Sequence, residues 1–214
     1  MIRSLQVRLK SKQPRKYQMS LQIGAKPDHG FDNPTGLLSD CHRRIERFLN
    51  KLIHLTKCTS GGELSEEQRH ALETSLRYFR KAAPRHTRDE EDSLFPRIRR
   101  NGSAEATQVM DLIDSLEGDH REAEALHHIV DTAGESWLIN GSLDQSTLTE
   151  MGSALSRLRT MYQGHIALED NQLFPLADRI LTAEEIAEVG REMAERRGLD
   201  YRQPLRCRTR IGAQ

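Results

Sequence analysis

HTRDEEDSLFP, residues 86–96, and HIALEDNQLFP, residues 165–175, are one phrase written twice. Each begins with a histidine, places a glutamate four residues on, adds a second acid and closes on Leu-Phe-Pro. The second copy begins 79 residues after the first. Working outward from these copies, DCHRRIE around His42 answers GDHREAE around His120, at an offset of 78. The repeat is therefore wider than the phrase. One helical hairpin is restated as a second, which predicts two half-sites related by a pseudo-twofold axis.

The surrounding chain reads as helix. Asn33-Pro34 caps and opens a first helix that runs to about Cys58. Ser65 and Gln68 form a capping box for a second helix, bent or split at Pro84 and ended by Pro96. Ser103 caps a third, reading to about Val130 or a turn beyond, and a fourth runs from about Ser146 to Phe174 with Pro175 as its stop. Thr182 and Glu185 cap a short fifth. The expected architecture is all-α: an antiparallel up-down four-helix bundle over residues 31–180, a short C-terminal helix over 181–197, and flexible basic termini at 1–30 and 198–214.

Composition agrees. The chain has 214 residues, enough for one domain with a full core. Charged residues are 30% and aromatics 5%, which favours a helical domain over a β-sandwich. No apolar run approaches the ~20 residues of a spanning helix, and the basic start lacks an apolar signal core. Three cysteines without a CxxC suit a reducing cytoplasm. The net charge of zero hides basic ends, +6 over residues 1–30 and +5 over 196–214, around an acidic middle. Neither end carries a recognisable nucleic-acid motif, so nucleic acid is not the expected partner. Met19 is a second candidate start.

Four His-x-x-x-Glu pairs fall one on each long helix: His42/Glu46, His86/Glu90, His120/Glu124 and His165/Glu169. Residues four apart lie about 40° apart around a helix and roughly 6 Å along it, so both members can reach one core. One pair alone is a solvated contact worth about 0.3 kcal/mol. Four are different. Counting residues from each histidine to its neighbouring turn puts all four at nearly one height, and burying that many ionisable groups unneutralised is very costly. A metal removes the cost. Imidazole and carboxylate without thiolate suit iron or manganese, not structural zinc.

At these residues the chain resembles the hemerythrin-like, HHE cation-binding family, over about residues 33–176. The resemblance rests on the paired HxxxE…LFP, DCHRRIERF and DHREAEAL. It implies a bundle holding two non-haem iron ions, with manganese as the other candidate. The implied ligands are His42, His86, Glu90, His120, His165 and Glu169, with both glutamates bridging and room left for dioxygen, nitric oxide or peroxide. Oxygen-carrying members put HxxxH on the third helix and HxxxxD on the fourth. Here Glu124 replaces the second histidine, and helix 4 offers Glu169 and Asp170. More carboxylate favours redox reaction over reversible oxygen carriage. The implied roles are sensing, stress protection or iron handling, or else a di-iron oxidoreductase, a ferroxidase, or an iron donor for repair of iron–sulfur centres.

Glu46 and Glu124 are candidates for further ligands or for acceptors behind the histidines. Tyr162, one turn before His165, is placed either to hydrogen-bond a bound oxygen species or in the core. Glu91 and Asp170 point about 140° from the histidines of their own helices, which predicts surface positions. His127-His128 reads as a rim or surface pair, and Leu-Phe-Pro as core closure and helix stop.

Overall fold

The computed structural model describes residues 29–200; the basic ends and Met19 lie outside these described residues. All regular secondary structure among the described residues is helical, with no strand. The elements are α1 (Pro34–Thr59), α2 (Glu66–Lys81), α3 (Ala83–Asp89), α4 (Phe95–Asn101), α5 (Ala104–Thr107), α6 (Met110–Asn140), α7 (Gln145–Leu168), α8 (Phe174–Ile180) and α9 (Ala183–Glu195). A π-turn over Glu90–Leu94 joins α3 to α4, and a second over Glu169–Leu173 joins α7 to α8.

The helix starts follow their caps. The Asn33 side chain accepts from the Gly36 N–H with Pro34 in the first turn, and Ser65–Gln68 and Thr182–Glu185 both form capping boxes. Pro84 splits α2 from α3, as its missing N–H requires. Ser103 caps only the one-turn α5, and the third long helix, α6, runs on to Asn140. Its extra turns are held by Trp137, fully buried, whose indole N–H donates to the Gly62 carbonyl at 2.9 Å.

Pro96 and Pro175 do not end their helices, contrary to the sequence expectation. Each falls in the first turn of the segment that continues, α4 or α8, directly behind a π-turn. In that turn the Phe95 N–H bonds the Glu90 carbonyl and the Phe174 N–H bonds the Glu169 carbonyl, one residue further back than in an α-helix. The wider turn moves the carbonyl that the proline ring would strike and absorbs the missing donor. It also explains how two consecutive residues, Leu94-Phe95 and Leu173-Phe174, are all buried.

α1 packs on α2 and α7, and α6 packs on α7 and α2. The apolar core is in two parts. One gathers Ile45, Leu49, Leu52, Leu72, Leu76, Val130, Trp137, Leu155 and Leu158. The other gathers Leu38, Leu94, Phe95, Ile98, Ile113, Leu116, Leu173 and Phe174, with Val189 and Met193 of α9 laid over it. A buried layer of histidine and glutamate separates them.

Candidate metal centre

The four histidines predicted to share one height do meet. His42 comes from α1, His86 from α3, His120 from α6 and His165 from α7; each is at most 9% exposed. Glu90 and Glu169, both fully buried, are the first residues of the two π-turns. His42, His86, Glu90 and Glu169 offer one donor atom each within 4.8 Å of one another, and so do His120, His165 and Glu169.

The carboxylates divide themselves between the two groups. Glu90 Oε1 lies 3.3 Å from His86 Nε2 and 3.9 Å from His42 Nε2, while its Oε2 lies 3.4 Å from His120 Nε2. Glu169 Oε2 lies 3.1 Å from His42 Nε2 and 3.2 Å from His165 Nε2. Short as these separations are, His42 Nε2, His120 Nε2 and all four carboxylate oxygens have no aligned hydrogen-bond partner. Buried polar groups are almost always hydrogen-bonded. Donor atoms that crowd together without bonding one another fit cations held between them, and the set of four imidazoles and two carboxylates fits hard-to-borderline ions such as iron or manganese.

Electrostatics show the same tension. Burial pushes the Glu90 carboxyl well above the ordinary carboxylate range, and the Glu169 charge beside it adds to the push. Glu169 is opposed by burial too, but the His165 and His42 rings more than offset it and hold its carboxyl below the usual range. Burial, with His42 next, drives His86 well down, which keeps its imidazole neutral and its lone pair available.

Behind the rings stands a second set of carboxylates, each from a neighbouring helix. His42 Nδ1 faces Asp170 at 3.0 Å, His120 Nδ1 faces Glu91 at 2.8 Å and His165 Nδ1 faces Asp119 at 3.2 Å. These bonds fix the rings so that Nε2 turns inward. The phenylalanines of the repeated phrase cross over in the same way: Phe174 stacks on His42 with ring centroids 5.5 Å apart, and Phe95 lies parallel to His120 at 6.3 Å. Leu-Phe-Pro therefore orients the site as well as closing the core.

Glu91 and Asp170 do point away from the histidines of their own helices, but that direction leads to His120 and His42 of the neighbours. Asp119 carried no signal beyond its place before His120. Glu46 and Glu124 are exposed and outside both groups, whereas Glu90 and Glu169 at the same spacing, each opening a π-turn, are fully buried. His127 is half-buried, stacked on Phe79 and bonded through Nε2 to the Tyr162 hydroxyl at 2.8 Å; only His128 is exposed. Tyr162 is buried, with His127 as its partner. Cys41, also buried, receives a bond from Arg44.

A chain whose described residues form helices alone, with a buried cluster of this composition, is of the metal-binding class. The family model of the hemerythrin HHE cation-binding domain matches residues 33–177, and the chain belongs to that family. It is also similar to an uncharacterised protein of Haemophilus influenzae, 29% identical over 172 residues that cover 78% of this chain and 91% of the relative.

Proposed function

We propose that the chain is a non-haem di-iron protein of hemerythrin-like type that binds or reacts with dioxygen, nitric oxide or peroxide. His42, His86, His120 and His165, together with Glu90 and Glu169, would hold the metal inside an antiparallel four-helix bundle built from α1, α2–α4, α6 and α7–α8. The observation that supports this reading is that Glu169 belongs to both donor groups while Glu90 faces His86 with Oε1 and His120 with Oε2, and none of the four carboxylate oxygens is hydrogen-bonded. When bound, the metal pair supplies open coordination and one-electron chemistry at each ion.

The protein's own part is positional. Asp170, Glu91 and Asp119 hold three rings by Nδ1, which raises the basicity of the inward nitrogens. Phe95 and Phe174 keep two of those rings, His120 and His42, from turning, and two apolar clusters exclude water on either side. The free thiols of Cys41 and Cys58 support the cytoplasmic placement included in this reading. No helix among the described residues is long and apolar enough to cross a membrane. A second reading, a di-iron oxidoreductase, is favoured by one feature: a cleft of about 400 Å³ whose wall includes His120.

The test is elemental analysis of protein purified without oxygen, followed by an optical spectrum on exposure to dioxygen or nitric oxide. About two iron per chain and a new charge-transfer band are expected. Fewer than two metal ions per chain with no spectral change overturns the reading.

A further inference from the structure

The cleft between α2–α3 and α6 is much larger than a diatomic ligand needs. Its volume is about 400 Å³, whereas a dry apolar cavity of about 150 Å³ already accepts benzene. Leu76, Phe79, Ala83 and Val130 form an apolar wall. Phe79 and the His127 ring lie nearly parallel at 4.3 Å, so part of that wall is aromatic surface. Against it stand His127 and Tyr162, bonded to each other, and His120 of the metal centre. His127 Nδ1 is buried without a hydrogen-bond partner, an unmet need that normally costs about 1–3 kcal/mol.

The three arginines at the mouth, Arg80, Arg88 and Arg121, are all exposed to solvent. Arg80 is paired with Asp131 and Glu135, and Arg88 donates to the Pro84 carbonyl. Glu91 is engaged with His120, and Glu124 adds a negative charge. An anionic head entering this cleft meets no buried cation. An uncharged ring with one hydroxyl meets aromatic surface and polar groups at the inner end.

We propose that this cleft binds a small uncharged aromatic alcohol, of the phenol class, seated against the His127–Tyr162 pair beside His120. The site gives the metal centre an organic partner as well as a gaseous or peroxide one, and so deepens the proposed function while standing on its own geometry.

Calorimetric titration of the full-length protein as purified, with metal content measured on the same samples, tests it. Phenol is expected to bind one to one with a Kd of about 1 mM or below. Cyclohexanol and benzoate are each expected to bind at least about fivefold more weakly. Thr87→Trp, which fills the cleft from its half-buried wall, is expected to weaken phenol about tenfold or more with metal content and melting unchanged; His127→Leu is expected to weaken it about threefold or more. Absence of phenol binding at 10-fold above that Kd overturns the proposal. So does benzoate binding as well as phenol, or a folded Thr87→Trp or His127→Leu that binds like wild type. Phenol binding to protein without metal supports the cleft and counts against the di-iron reading, so the two fail separately.

Discussion

The two copies of the repeated phrase agree in what faces the centre and disagree in what stands behind it. In both, a histidine in an α-helix is followed four residues on by a glutamate that opens a π-turn, and the following phenylalanine crosses to stack on a histidine of the other half. Behind them the halves diverge. In the first, Asp89 is fully buried between Arg196 at 2.8 Å and Arg197 at 2.6 Å, and Arg97 reaches Glu188 and Glu192 of α9. The corresponding residues of the second half are Leu168 and Leu176, which carry no charge with which to build such a network. Conversely, Asp119 backs His165, whereas the residue at the matching position is Cys41 and His86 Nδ1 has no hydrogen-bond partner. The His127–Tyr162 pair corresponds to Leu49 and Ala83. The groups that face the centre are duplicated; their anchorage is not. The first half is clamped by α9 and the two arginines that follow it, and in the second Asp119 of α6 backs His165.

That difference can be broken from either side. The largest effect is expected from Glu169→Ala, since Glu169 belongs to both donor groups. Metal analysis should show both ions lost, where His86→Ala should lose about one of two. Asp89→Leu, which copies the second half into the first, strands two arginines against α9. It is expected to lower stability by about 3 kcal/mol in denaturant unfolding, and Leu168→Asp, which lacks waiting arginines, should not restore it.

The second half should show its own pH signature. Burial holds His127 down to about 4, against an ordinary value of 6.5. Between those values the unfolded chain binds more protons, so this contribution is present above about pH 6.5 and is lost as pH falls toward 4. The loss amounts to at most about 3 kcal/mol, and it should vanish from the stability–pH profile of His127→Leu. Smaller still, Asp119→Ala should weaken metal binding about 10- to 100-fold, read in a competition titration against a chelator. Cys41→Asp should narrow the difference between the halves by giving His86 the partner that His165 already has.

How far the chain could be read without its structure follows the same division. Residues that repeat at fixed spacing were legible: His42, His86, His120 and His165 share a level because helix rise and turn positions dictate it. So were the caps at Asn33, Ser65 and Thr182 and the break at Pro84, since each is a local chemical event. The rest depended on neighbours. An angle measured from its own helix sends Glu91 and Asp170 to the surface, and only a second helix shows that this direction ends on a histidine. The same local rule drew Glu46 and Glu124 inward when they face solvent. Pro96 and Pro175 read as stops because a sequence does not display the extra residue that a π-turn spends ahead of them.

The central claim is that two phrases make one dinuclear site, and the most direct test is the metal stoichiometry of wild type, His86→Ala and Glu169→Ala, each loaded with ferrous iron under anaerobic conditions. The account predicts about two, one and zero ions per chain. A wild-type protein that saturates at one ion, or a Glu169→Ala variant that still holds two, would contradict it.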